Sequence, residues 1–179
     1  FETDLAAILG PWFRNPAFPD AAITLRHLLS HTSGMRDGEV YWGRLGGRIE
    51  DYFVPGGEHF ENGGHWEKAH PPGAYFSYCN LAFGVMATVA ERLSGQRFDL
   101  LAHESVLAPL GLSAGFNWSE VPDLVIAKSS TLYRYTDKGW TPQTDWPPPV
   151  GIAPVAAGVR HPRDLANYKI GSLGPLFSP

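Results

Sequence analysis

Leu81, Val85, Val89 and Leu93 recur every four residues, with Ala82, Met86 and Ala90 beside them. Apolar positions at that spacing share one helix face, so this is the strongest predicted helix, and Gly95 lies just past its end as a stop. A shorter helix is predicted after Thr24, an N-cap residue type, with Leu25, Leu28 and Leu29 as its apolar face. Thr32-Ser33-Gly34 ends it, Gly34 supplying the permissive backbone of a helix exit. A further helix is expected over residues 97 to 108, stopping at Pro109-Leu110-Gly111-Leu112. Beyond it the pattern shortens. Residues 124 to 127 and 131 to 135 read as strands around a turn at Asp137-Lys138-Gly139. Residues 146 to 149 form a rigid proline segment, Asp164-Leu165-Ala166 opens another short helix, and residues 169 to 179 do not continue it cleanly.

Two stretches lack a clear period. Residues 1 to 22 mix apolar positions with Pro11, Pro16 and Pro19 and read as a helical turn followed by an extended connector. Residues 36 to 70 hold eight glycines together with Tyr41, Trp42, Tyr52, Phe53, Phe60 and Trp66. A loop of that length is either a functional wall or lid, or a surface excursion pinned to the body by its aromatics. Both readings stand at this level.

Composition narrows the class. Hydrophobic residues at 44% and charged residues at 18% fit a folded chain rather than a disordered one. A net charge of −4 without a Lys/Arg cluster argues against a nucleic-acid partner. No apolar run is long enough to span a bilayer. Cys79 is the only cysteine, so no internal disulfide forms and the compartment stays open.

The candidate chemistry lies at Tyr78-Cys79-Asn80, between Pro71-Pro72-Gly73 and the strongest helix. Residues two apart in an extended turn project to one side, so Tyr78 and Asn80 are expected to face one pocket while Cys79 points away. A phenol near a cation relays protons, and a carboxamide offers both a donor and an acceptor to an amide or ester. Taken alone, the triplet is a weak signal, and a helix-cap Asn beside a core Tyr is the favoured reading.

Three blocks in order change that balance. They are Ile23-Thr-Leu-Arg-His-Leu-Leu-Ser-His-Thr-Ser-Gly34, Pro72-Gly-Ala-Tyr-Phe-Ser-Tyr-Cys-Asn-Leu-Ala-Phe-Gly84 and Pro109-Leu-Gly-Leu112. Together they resemble the serine β-lactamase and penicillin-binding-protein-like family, nearest its class C-like branch of lactamases, esterases and amide hydrolases. The resemblance implies an α+β, β-lactamase/transpeptidase-like fold. Residues 1–22 would be a connector, 23–112 mostly the helical lobe with loop 36–70, and 113–179 a return toward the sheet lobe. It further implies an acyl-serine mechanism on a lactam, amide or carboxylic ester, with no cofactor and no metal, and a periplasmic or secreted setting. Tyr78 matches the family's proton-relaying tyrosine, and Asn80 the asparagine that contacts the substrate amide and the catalytic lysine.

The departures are equally specific. No serine in the chain has a lysine three residues later. By family spacing the Ser-x-x-Lys is expected about two dozen residues before Phe1. Lys128-Ser129-Ser130 approximates a Lys-Thr-Gly edge but lacks the glycine and comes early, so that edge is expected after Pro179. The chain is therefore expected to be a fragment, inactive by itself. The alternative is a non-catalytic binding module that keeps the pocket.

Three other patterns carry less. Gly111-Leu112-Ser113-Ala114-Gly115 formally fits Gly-x-Ser-x-Gly, but a helix and a proline precede it where a nucleophile elbow needs a buried strand. His27 and His31 stand four apart without a third ligand nearby, which favours packing around the His-Thr-Ser-Gly turn over zinc. His59, His65 and His70 lie in the Gly-rich loop at irregular spacing.

Overall fold

Thr24 opens the first well-capped helix of the chain. Its hydroxyl accepts the His27 N–H at 3.3 Å, and its own N–H reaches the His27 ring at 3.4 Å. In the computed structural model, which describes residues 1–38, 49–115 and 133–142, this helix is the second of five. In chain order they are α1 (Ala6–Leu9), α2 (Leu25–Leu29), α3 (Glu50–Phe53), α4 (Leu81–Ser94) and α5 (Phe98–Ala102). A single π-helical turn, His103–Leu107, extends α5. An antiparallel hairpin follows, β1 (Tyr133–Thr136) and β2 (Gly139–Pro142), with Tyr133 opposite Pro142 and Thr136 opposite Gly139.

The long helix forms where the four-residue pattern places it, and Gly95 ends it in a left-handed conformation at φ 70°. Its buried face is Leu81, Ala82, Val85 and Val89; Leu93 is 69% exposed, against expectation. The reason is geometric. A strict four-residue repeat gains on the 3.6-residue turn, so Leu93 is rotated by about 120° from Leu81. In α2, Leu28 is buried but Leu29 is half exposed, so the predicted apolar face is narrower than three leucines. The left-handed residue just past α2 is His31, at φ 53°, and Gly34 takes a left-handed turn of its own three residues later.

α4 packs against α1, α2 and α5. Arg92 ties it to α1 by donating to Leu9 O at 2.7 Å and to α3 by pairing with Glu50 at 2.6 Å. Glu91, itself buried, accepts the Phe98 N–H at 2.8 Å and fixes the turn into α5. The N-terminal stretch is held to the start of α2 by Leu5 N–H to Ile23 O at 2.8 Å, and Asp4 pairs with Arg14 while accepting the Ala6 N–H at 3.1 Å.

The Gly-rich region is not one structureless loop. It contains α3, and it delivers Tyr52, Phe53, His65 and Trp66 into the core beside Phe13. Phe13, Phe53 and Trp66 form a ring cluster with centroids 5.0 to 5.7 Å apart. Rings at that spacing contribute packing beyond their buried area. The predicted turn at Asp137-Lys138-Gly139 joins the two hairpin strands, so 133–136 pairs forward with 139–142. Residues 124 to 132, 146 to 149 and 164 to 179 lie outside the described residues.

Phe13 is fully buried and touches Trp12, Phe53 and Trp66. Phe13→Ala is expected to cost about 3–5 kcal/mol, read from urea unfolding. A loss below about 1 kcal/mol would contradict its place at the centre of the core.

Candidate active site

Two backbone clasps build the site. On one side, Arg36 donates its N–H to His65 O at 2.9 Å and Glu67 donates to Gly34 O at 2.7 Å, so residues 34–36 lie against 65–67. On the other, the Gly73 N–H meets Thr32 O at 2.7 Å and the Ser77 N–H meets His31 O at 2.8 Å. Residues 31–37 are thus gripped along both edges, and Asp37 is delivered to the start of α4. Gly38 makes the following step possible. Its φ is 71°, and a Cβ there would come within 2.5 Å of both Glu61 Oε2 and His65 Cε1. A side chain there would meet the Glu61 carboxylate and the buried His65 ring, in a backbone conformation that residues other than glycine rarely adopt.

Asp37 is the hub. One carboxylate oxygen accepts the Leu81 N–H at 2.8 Å, and the other accepts Asn80 Nδ2 at 2.8 Å. The first oxygen also receives the Cys79 thiol at 3.4 Å. The Tyr78 hydroxyl donates to Asn80 Oδ1 at 2.9 Å. Tyr78 and Asn80 therefore do share one side, as the two-residue spacing predicts. Cys79 does not simply point away: it is fully buried, and its sulfur reaches the same carboxylate. Asn80 is the N-cap residue of α4, but its side chain makes no capping bond; Asp37 does that work from more than forty positions earlier.

His31 supports the tyrosine from beneath. Its ring lies 4.5 Å from Tyr78, 5.4 Å from Phe83 and 5.9 Å from Phe76, centroid to centroid, and its Nδ1 accepts the Cys79 N–H at 3.3 Å. Because α2 ends at Leu29, His27 and His31 do not share a helix face; His27 serves the cap and His31 the site. Tyr78 opens onto a surface depression that Asp37, Glu61, Asn62, Gly64 and Ser77 also line. Described residues of the Gly-rich region thus pin it to the core through its aromatics, and Glu61, Asn62 and Gly64 line the depression.

The remaining patterns fall elsewhere. Ser113 sits in an exposed irregular stretch after the π turn. His65 is buried with its Nε2 3.0 Å from His59 O, and His70 stacks on Tyr75 at the surface. Among the described residues no group of three or more His, Cys, Asp or Glu is placed to hold a metal ion. Nor is any described helix long and apolar enough to cross a membrane.

The fold around this site is that of a known family. The Beta-lactamase family model matches residues 4–174, and the chain belongs to that family. Among solved structures, the LovD6 mutant of simvastatin synthase (LovD) from Aspergillus terreus matches with a TM-score of 0.54 and 20% identity. That match covers 98% of this chain and 44% of the synthase, so the chain spans under half of its length. The α+β, β-lactamase/transpeptidase-like architecture expected from the sequence is the architecture found. Comparison with curated proteins gave no match.

Asp37 was not singled out by sequence. Its only signal is position, three residues past the His-Thr-Ser-Gly turn. Burial, followed by the neighbouring Asp37 carboxylate, pushes the Cys79 thiol far above the ordinary thiol range. Cys79 is accordingly expected to resist iodoacetamide at pH 8 in the folded protein and to react once urea unfolds it, as followed by intact mass. Alkylation of the folded protein at the rate of a free thiol would show that this contact is absent.

Proposed function

We propose that this chain forms one wall of the active site of a β-lactamase-related serine hydrolase. The substrate is a lactam, amide or carboxylic ester, and the reaction passes through an acyl-serine. In this scheme the serine oxygen attacks the carbonyl carbon and its proton passes to the lysine of a Ser-x-x-Lys. The C–N or C–O bond then breaks, with Tyr78 relaying a proton to the leaving group and Asn80 orienting the substrate amide or ester. Water releases the acyl group and restores the serine. The serine and lysine belong, on this reading, to parts of the gene product outside these 179 residues.

The observation that carries the proposal is the Tyr78–Asn80 hydrogen bond at the edge of an open depression, inside a chain of this family. Tyr78 is 60% exposed, which is unlike a core tyrosine and suits a group that meets substrate. A second reading is a non-catalytic binding module that retains the pocket. One observation favours it: no serine here is followed three residues later by lysine.

Incubating the full-length gene product with a β-lactam and with an activated ester, then weighing it, separates the two. An acyl adduct on a serine is expected; no adduct with either reagent sinks the hydrolase reading. In the same protein Tyr78→Phe is expected to lower kcat by about 10²-fold or more. Its Tm should fall little, because the ring stays on His31 and a single hydrogen bond, from an exposed tyrosine to Asn80, is lost.

A further inference from the structure

We propose that Asp37 is a positioning residue that sets the direction of the hydrogen bonds through Asn80 and so makes Tyr78 a hydrogen-bond acceptor toward the depression. The inference rests on the reading of Tyr78 and Asn80 as site residues given above.

The argument starts from the chemistry of the three groups. A carboxylate only accepts hydrogen bonds, whereas a carboxamide has one face that donates and one that accepts. Asp37 already takes the Leu81 N–H, which fixes its carboxylate at the head of α4. The atom of Asn80 that lies 2.8 Å from the other Asp37 oxygen must then be the nitrogen. With the amide turned over, two acceptors would face each other at that distance, and both would be left unsatisfied in a half-buried place. Asn80 itself is only 9% exposed, so water does little to relieve that cost.

The consequence passes to Tyr78. Asn80 Oδ1 now faces the phenol oxygen at 2.9 Å, and an amide oxygen cannot donate. The phenol hydrogen is therefore committed to Asn80, and the lone pairs of the Tyr78 oxygen are turned to the depression. A tyrosine held in this way accepts a hydrogen bond from a donor on the substrate side, and it gives up its own proton only as it leaves Asn80 and takes that donor's proton in its place. The backbone clasps on residues 31–37 and the tight passage at Gly38 keep Asp37 where this constraint operates.

Asp37→Asn tests the idea with little change of shape. The introduced carboxamide can still accept the Leu81 N–H through its oxygen, but its nitrogen then faces Asn80. The Asn80 amide turns over, donates to the Tyr78 oxygen, and the phenol hydrogen swings outward. The network is retained and its direction reversed.

In the full-length gene product, assayed with p-nitrophenyl acetate, Asp37→Asn is expected to lower kcat by about 10- to 100-fold with KM within about twofold. In a Tyr78→Phe background the same substitution should cost nothing further, because the group it misdirects is gone. A merely structural role would cost the same in both backgrounds. That result, or full activity of Asp37→Asn beside a damaging Tyr78→Phe, overturns the inference and leaves the reading of Tyr78 standing. A silent Tyr78→Phe removes both. If Asp37→Asn does not fold, solvent exchange of side-chain amide protons in the wild-type protein decides by NMR. The Asn80 protons are expected to exchange about tenfold or more slowly than those of exposed Asn62, as a bond to a charged acceptor implies. Equal exchange overturns the inference.

Discussion

A helix leaves its first N–H groups without partners inside itself, and something else must meet them. At α4, the longest helix described, the Leu81 N–H is met by the Asp37 carboxylate, which arrives from 44 positions earlier in the chain. A negative charge there also suits the positive end of the helix. The arrangement has a structural consequence. α4 acquires its cap only when residues 31–37 are already gripped between 65–67 and 73–77, so the helix start and the site are completed together. It has a chemical one as well. Asn80, at the position where an asparagine would normally cap its own helix, is released from that duty, and its amide is available to Tyr78.

The second dependence runs through the Gly-rich region. Trp66 and His65 anchor it in the aromatic core, while Glu61, Asn62 and Gly64 line the depression a few residues away. Left-handed backbone at Asn62 and Gly63, with φ of 49° and 78°, lets the chain reverse sharply enough to serve both sides. A wall built this way has its position fixed by core packing rather than by its own contacts. Side chains that orient a reacting group to a fraction of an ångström need that kind of support.

Sequence made the helices and the candidate triplet legible for a plain reason: both are local. The apolar spacing of Leu81, Val85 and Val89, the Thr24 cap and the Gly95 stop each depend on residues within a few positions of one another. Tyr78 and Asn80 stood out as candidates because two-residue spacing and the neighbouring family blocks mark them. Asp37 was missed because its role depends on closing a loop of more than forty residues, and nothing beside it in sequence announces that closure. The same limit applies to α3 and the core role of Trp66, which irregular spacing conceals. Leu93 failed in the opposite sense, since a repeat that looks perfect on paper drifts round a real helix.

A phenol that is 60% exposed to water acts weakly, because solvent competes for its lone pairs and damps the field of any nearby charge. Preorganised groups gain their full effect only where water is excluded. The Tyr78–Asn80–Asp37 relay is directed before any substrate arrives, since the Asp37 carboxylate and the Leu81 N–H fix it from the buried side. What it needs in addition is a surface that closes over the exposed side. In an acyl-serine scheme that surface is the substrate itself, together with the residues that bear the nucleophile. The direction of the relay and its strength therefore have separate origins: the first is built into the start of α4, and the second depends on what covers Tyr78.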